Sequence, residues 1–75
     1  MNSYETPLTF IQKNLGDRVS VKLRNRVIIQ GKLVAFDEHL NLMMEDATLR
    51  KEDKNYFKNL VYLRGDMITL AGKEW

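Results

Sequence analysis

Seventy-five residues with no cysteine, one histidine and a net charge of +2 leave room for a single domain, expected to span residues 1–75, without disulfides or thiolate metal centres to brace it. No apolar run approaches the roughly 20 residues of a membrane span, and "MNSYETPLTF" lacks a basic stretch followed by an apolar one, so no membrane anchor or secretory leader is expected and the compartment is cytoplasm or nucleus. So short a chain buries only about 60% of its unfolded surface, so association with further copies is the expected supplement to a small core.

Residues 6–15 read as a short helix. Thr6 suits its cap, Pro7 its first turn and Gly16 its end, and Leu8, Ile11 and Leu15 recur at helical spacing on one face. A helix this short is not stable alone in water and must lie on something. After Gly16 the period becomes two, and strands are expected over about 17–72. Val19, Val21 and Leu23 alternate with Ser20, Lys22 and Arg24 as the first strand. "NRVIIQGKLVAF" forms the second, with Gly31 marking a bend or a close backbone approach. "LNLMME" is the third, with Leu40, Leu42 and Met44 on one face. "DATLRKEDKN" has no apolar period and reads as a loop. "YFKNLVYLR" is the fourth strand, "GD" a tight turn and "MITLA" a short fifth strand. One helix and five short strands suit an α+β or all-β small barrel. The first and last strands are expected to leave open edges, and the apolar stretches 56–64 and 67–71 invite a strand from another copy.

Charge is unevenly placed. Residues 17–36 hold five basic side chains and one acid, whereas 37–53 hold six acids and two bases. That pattern suits nucleic-acid binding or head-to-tail contact between copies, and equally an ordinary solvated face. Catalysis finds little material. Asp37, Glu38 and His39 are adjacent rather than convergent, and there is no cysteine nucleophile, no GxSxG and no glycine-rich phosphate loop. One histidine is also poor provision for a metal. No enzyme activity, cofactor or metal is expected.

His39 and Asn41 allow two readings. They suit a surface imidazole and a turn-capping amide. They equally suit a base-binding pair, since on a strand they share one face and offer a flat ring and a donor–acceptor amide, as single-stranded RNA requires. Arg64 in "LRGD" offers a second stacking plane. Met43 and Met44 read as core filler. Tyr56, Phe57 and Tyr62 read as core and edge packing, although exposed together they would suit a peptide-binding barrel.

Two stretches carry a family resemblance. "VSVKLRNRVIIQGKLVAFDEHLNLMMEDA" resembles the first signature of the Sm and Sm-like (Lsm) proteins, through Val19, Val21, Leu23, Gly31, Leu33, Phe36–Asp37, Leu40–Asn41 and Asp46. "LVYLRGDMITLA" resembles the second, centred on its Arg-Gly-Asp turn. The likeness covers roughly residues 5–71. It implies the Sm fold: mainly β, with a short N-terminal helix on a five-stranded, strongly bent antiparallel SH3-like barrel. It also implies a ring of about six to eight Sm-like subunits, most often seven, closed by pairing strand four of one with strand five of the next. The ring would hold uridine-rich single-stranded RNA at its central pore, in mRNA decay or pre-mRNA splicing. For the RNA-binding residues the resemblance implies that His39 stacks on the base and Asn41 bonds its edge. Asp37 orients Asn41, Arg64 stacks from the other side, and Gly65 and Asp66 shape the turn. Within the family the chain is most similar to the third-subunit branch of the eukaryotic ring. It departs from that branch at Arg26, where Gly or Asp is common, and in a short 47–55 segment, a feature shared with archaeal homomeric rings. A structural ring member with little RNA contact is the other role the resemblance allows.

Overall fold

Helix α1 spans Pro7–Lys13, and Thr6 caps it by accepting the Thr9 backbone N–H at 3.2 Å. The computed structural model describes residues 6–73; the expected domain ends at 1 and 75, and residues 1–5 of the stretch read for a leader, lie outside the described residues. The helix is shorter than its apolar spacing predicts. The Asn14 side chain donates to the Phe10 carbonyl at 2.8 Å and closes the last turn, and Gly16 then takes a left-handed φ of +91°. Leu15 is therefore off the expected face and 49% exposed, while Ile11 is buried and Phe10 packs against the core instead.

Five strands follow: β1 Arg18–Leu23, β2 Ile28–Phe36, β3 Leu42–Lys51, β4 Lys54–Leu63 and β5 Ile68–Lys73. They form one antiparallel sheet in the order β4-β3-β2-β1-β5. The inward rows, Val19 and Val21 from β1, Ile29 and Leu33 from β2, and Leu42 and Met44 from β3, are fully buried. Bulges supply the bend. Opposite the single Gly31, β3 spends two residues, Asp46 and Ala47, with Asp46 at φ +50°. A Cβ on Gly31 would sit 2.9 Å from the Glu45 carbonyl oxygen, so glycine is needed there for the strands to meet. A second shift, at Val34, gives β2 one extra residue. Among the described residues no helix is long and apolar enough to cross a membrane.

Three expectations are corrected. The open edges belong to β4 and β5, not to the first and last strands, because β5 folds back beside β1 and takes that side. The expected loop at 46–55 is mostly sheet: β3 and β4 run on to a two-residue turn at Glu52–Asp53, with Lys51 opposite Lys54. Residues 50–60 of this arm are exposed, so its faces need no apolar period and the strand pattern is silent there. Finally, His39 and Asn41 do not lie on a strand, since β3 begins at Leu42; Leu40, at φ +63°, turns between them.

Candidate functional site

The turn between β2 and β3 is wound around the Asp37 carboxylate. Its Oδ1 accepts the backbone N–H groups of His39 (2.8 Å) and Asn41 (3.0 Å), and its Oδ2 accepts the Asn41 side-chain Nδ2 at 2.9 Å. The Asn41 side-chain amide is the largest cause holding the Asp37 carboxyl below the usual carboxylate range; partial desolvation opposes it, and the two backbone N–H groups and the His39 charge assist. A lowered folded-state pKa means stability present above the unfolded-state value and lost as pH falls through the folded one. Melting temperature should accordingly fall as pH drops from neutral through the carboxylate range, and Asp37→Asn should flatten part of that fall. Paired thermal melts check it; parallel curves for the two proteins would remove Asp37 from the account.

Asn41 is held from both sides. Its Oδ1 accepts the Gly65 backbone N–H at 2.8 Å while its Nδ2 faces Asp37. A backbone N–H only donates and a carboxylate only accepts, so the amide has one orientation. One N–H and one oxygen lone pair remain to meet a ligand.

The second turn, Gly65–Met67, is a short 3-10 helix. Arg64 Nη2 lies 2.9 Å from Asp66 Oδ2, an exposed pair that orients the guanidinium and adds little to stability. Arg24 fastens this turn to the end of β1: its backbone N–H donates to the Met67 carbonyl and its Nε to the Asp66 carbonyl, both at 2.8 Å. The two turns meet so closely that a Cβ on Gly65 would run into the His39 carbonyl oxygen.

Between them lies an open cleft of about 460 Å³ lined by His39, Asn41, Tyr62, Arg64 and Asp66. An imidazole, a phenol and a guanidinium, all planar, surround one fixed amide. That set can stack on a flat heterocycle and bond its edge. Among the described residues no cluster of His, Cys, Asp or Glu could hold a metal ion.

Comparison with known proteins agrees with this geometry. The LSM domain profile matches residues 9–73. The chain belongs to the LSM family. It is 33% identical to "Sm-like protein LSM3B" of Arabidopsis thaliana over 79 residues, covering 87% of this chain and 81% of the plant protein. It is similar in structure to a heptameric archaeal Sm protein (TM-score 0.79, 32% identity, 87% of this chain and 96% of that one). It is also similar to a Pyrococcus abyssii Sm protein in complex with a uridine heptamer (TM-score 0.83, 28% identity, 91% and 97%).

Of the six site residues expected in this LSM chain, His39, Asn41, Arg64 and Asp66 line the cleft, while Asp37 and Gly65 stand behind it and hold Asn41. The shared strand face that suggested pairing His39 with Asn41 does not exist; the Asp37-centred turn brings them together instead. Two residues escaped the sequence reading. Tyr62, expected to pack, is 62% exposed and lines the cleft. Its signal was the alternation on β4, where inward Leu63 turns Tyr62 outward. Arg24 gave no local signal, because the turn it fastens lies 42 residues away.

Proposed function

We propose that this chain is an RNA-binding subunit of an Sm-like ring, holding uridine-rich single-stranded RNA at the central opening and performing no catalysis. The observation that carries the proposal is the Asn41 amide, fixed by Asp37 and Gly65 and surrounded by planar side chains. A uracil edge offers N3–H as donor beside carbonyl acceptors, and the free lone pair and N–H of Asn41 complement them. His39 and Arg64 supply the stacking planes. The unpaired edges of β4 and β5 support closure of a ring by strand pairing between subunits. The heptameric archaeal relative and the uridine-bound one support the same reading. The likeness to LSM3B supports a role in splicing or mRNA decay, in the nucleus, the cytoplasm or both.

Asn41→Ala should weaken oligo-U binding more than oligo-A binding, with discrimination falling by about 1–3 kcal/mol, the worth of a well-placed base-edge pair. Arg64→Ala should weaken both, by about 1–3 kcal/mol per stacked base. Fluorescence anisotropy at one fixed salt concentration measures both ratios. An unchanged U-to-A ratio in Asn41→Ala removes the readout role, and unchanged affinity in both variants makes the subunit structural.

A homomeric ring of archaeal type is the second reading, favoured by the two-residue turn at Glu52–Asp53. The alignment with LSM3B spans 79 residues but only 87% of this 75-residue chain, so the plant protein carries residues that this chain lacks.

A further inference from the structure

Tyr62 does more than border the base cleft. A second, smaller cleft of about 110 Å³ adjoins the first, lined by Ala35, Phe36, Asp37, Asn41, Met43 and Tyr62. Tyr62 and Asn41 are thus walls of both clefts. The register puts Ala35 opposite Met43 and Met43 opposite Tyr62, so these three make one cross-strand row on the sheet face away from the core. That row gives the smaller cleft an apolar floor with an aromatic ring at its edge. Its volume is about the liquid share of four waters, the scale of one pyrimidine ring. Its lining contains no lysine or arginine. The one charge there, Asp37, has both oxygens occupied by N–H groups. Such a cleft repels a phosphate and accepts a neutral planar ring.

Resting on the RNA reading above, we infer that Tyr62 is a two-sided stacking residue and that each subunit takes two consecutive nucleobases, the first against His39, Asn41 and Arg64, the second against Met43 and the far side of Tyr62. A tyrosine suits this position because it offers a large flat surface with only two side-chain torsions to fix. An exposed ring at 62% has that surface available.

The test compares Tyr62→Phe, which keeps the aromatic face, with Tyr62→Leu, which keeps apolar bulk without it, using native mass spectrometry to count intact rings. Stoichiometric titration with poly-U should give two nucleotides occluded per subunit in the wild type and in Tyr62→Phe, falling to one in Tyr62→Leu. Affinity in Tyr62→Leu should drop roughly 5- to 150-fold per stacked base lost. A measurement on the unaltered protein stands beside it: photocrosslinking with 5-iodouridine in oligo-U should yield adducts at Tyr62. One occluded nucleotide per wild-type subunit overturns the inference, as does an absence of Tyr62 adducts. A Tyr62→Leu protein with normal affinity per intact ring but impaired assembly would also overturn it, by assigning the ring to subunit contact. In each of these cases an RNA defect in Asn41→Ala leaves the primary reading standing. A wild-type protein that binds no oligo-U at all overturns both.

Discussion

Gly65→Ala is expected to lose RNA binding and stability together. The added methyl would meet the His39 carbonyl oxygen and lie 2.9 Å from the Leu40 carbonyl carbon and 3.0 Å from its oxygen. All three are backbone atoms, so no side-chain rotation relieves the contact. One turn must move, and the bond from the Gly65 N–H to Asn41 Oδ1 is the first to break. Overpacking of this kind costs about 1–3 kcal/mol, and in a domain of this size each kcal/mol is roughly 4–8 °C of melting temperature. Gly16→Ala is the contrast. It has open space around it but a φ of +91°, so it should cost stability, on the order of 1–2 kcal/mol, while leaving oligo-U affinity per folded molecule intact. Thermal melts and oligo-U titrations on both variants separate the effects; equal RNA losses in the two would mean that Gly65 acts through stability alone.

Leu70→Asp is expected to convert rings into monomers. Leu70 lies on the unpaired β5 edge, 55% exposed in the single chain, and lines an apolar groove of about 390 Å³ with Pro7, Phe10, Ile11, Ile68 and Ala71. On the other edge, β4 exposes Phe57 and Leu60. In an isolated subunit the substitution stays in water and should change melting by little, within about 0.5 kcal/mol. Once β4 of a neighbour covers β5, the carboxylate is buried without a partner, which costs on the order of 3–5 kcal/mol. That weakens each contact by more than about a hundredfold. Size-exclusion chromatography at micromolar concentration reads the result directly, and rings of normal size would show that assembly does not use β5.

Legibility in the sequence followed burial. Val19, Val21, Leu42 and Met44 announced their inward rows because one face of their strands is dry, and Gly31 announced a close approach because any side chain there would strike β3. The outer arm formed by the ends of β3 and β4 is wet on both faces, so its charges read as loop although its backbone is fully paired. The site was legible in its residue types and illegible in its geometry. His39 and Asn41 were recognised, yet what aligns them is an aspartate-centred turn with Leu40 in a left-handed conformation rather than strand alternation. The contributions of Arg24 and Tyr62 depend on contacts between segments distant in the chain, which no local pattern encodes. The assignment of β4 and β5 as edges likewise required the return of β5 to the side of β1.

Native mass spectrometry of the purified chain, with and without an oligo-U heptamer, tests the central claim most directly. A closed ring of one defined copy number, gaining the mass of bound oligo-U and failing to gain it in Asn41→Ala, is the expected result. A monomer at micromolar concentration that takes up no oligo-U would contradict it.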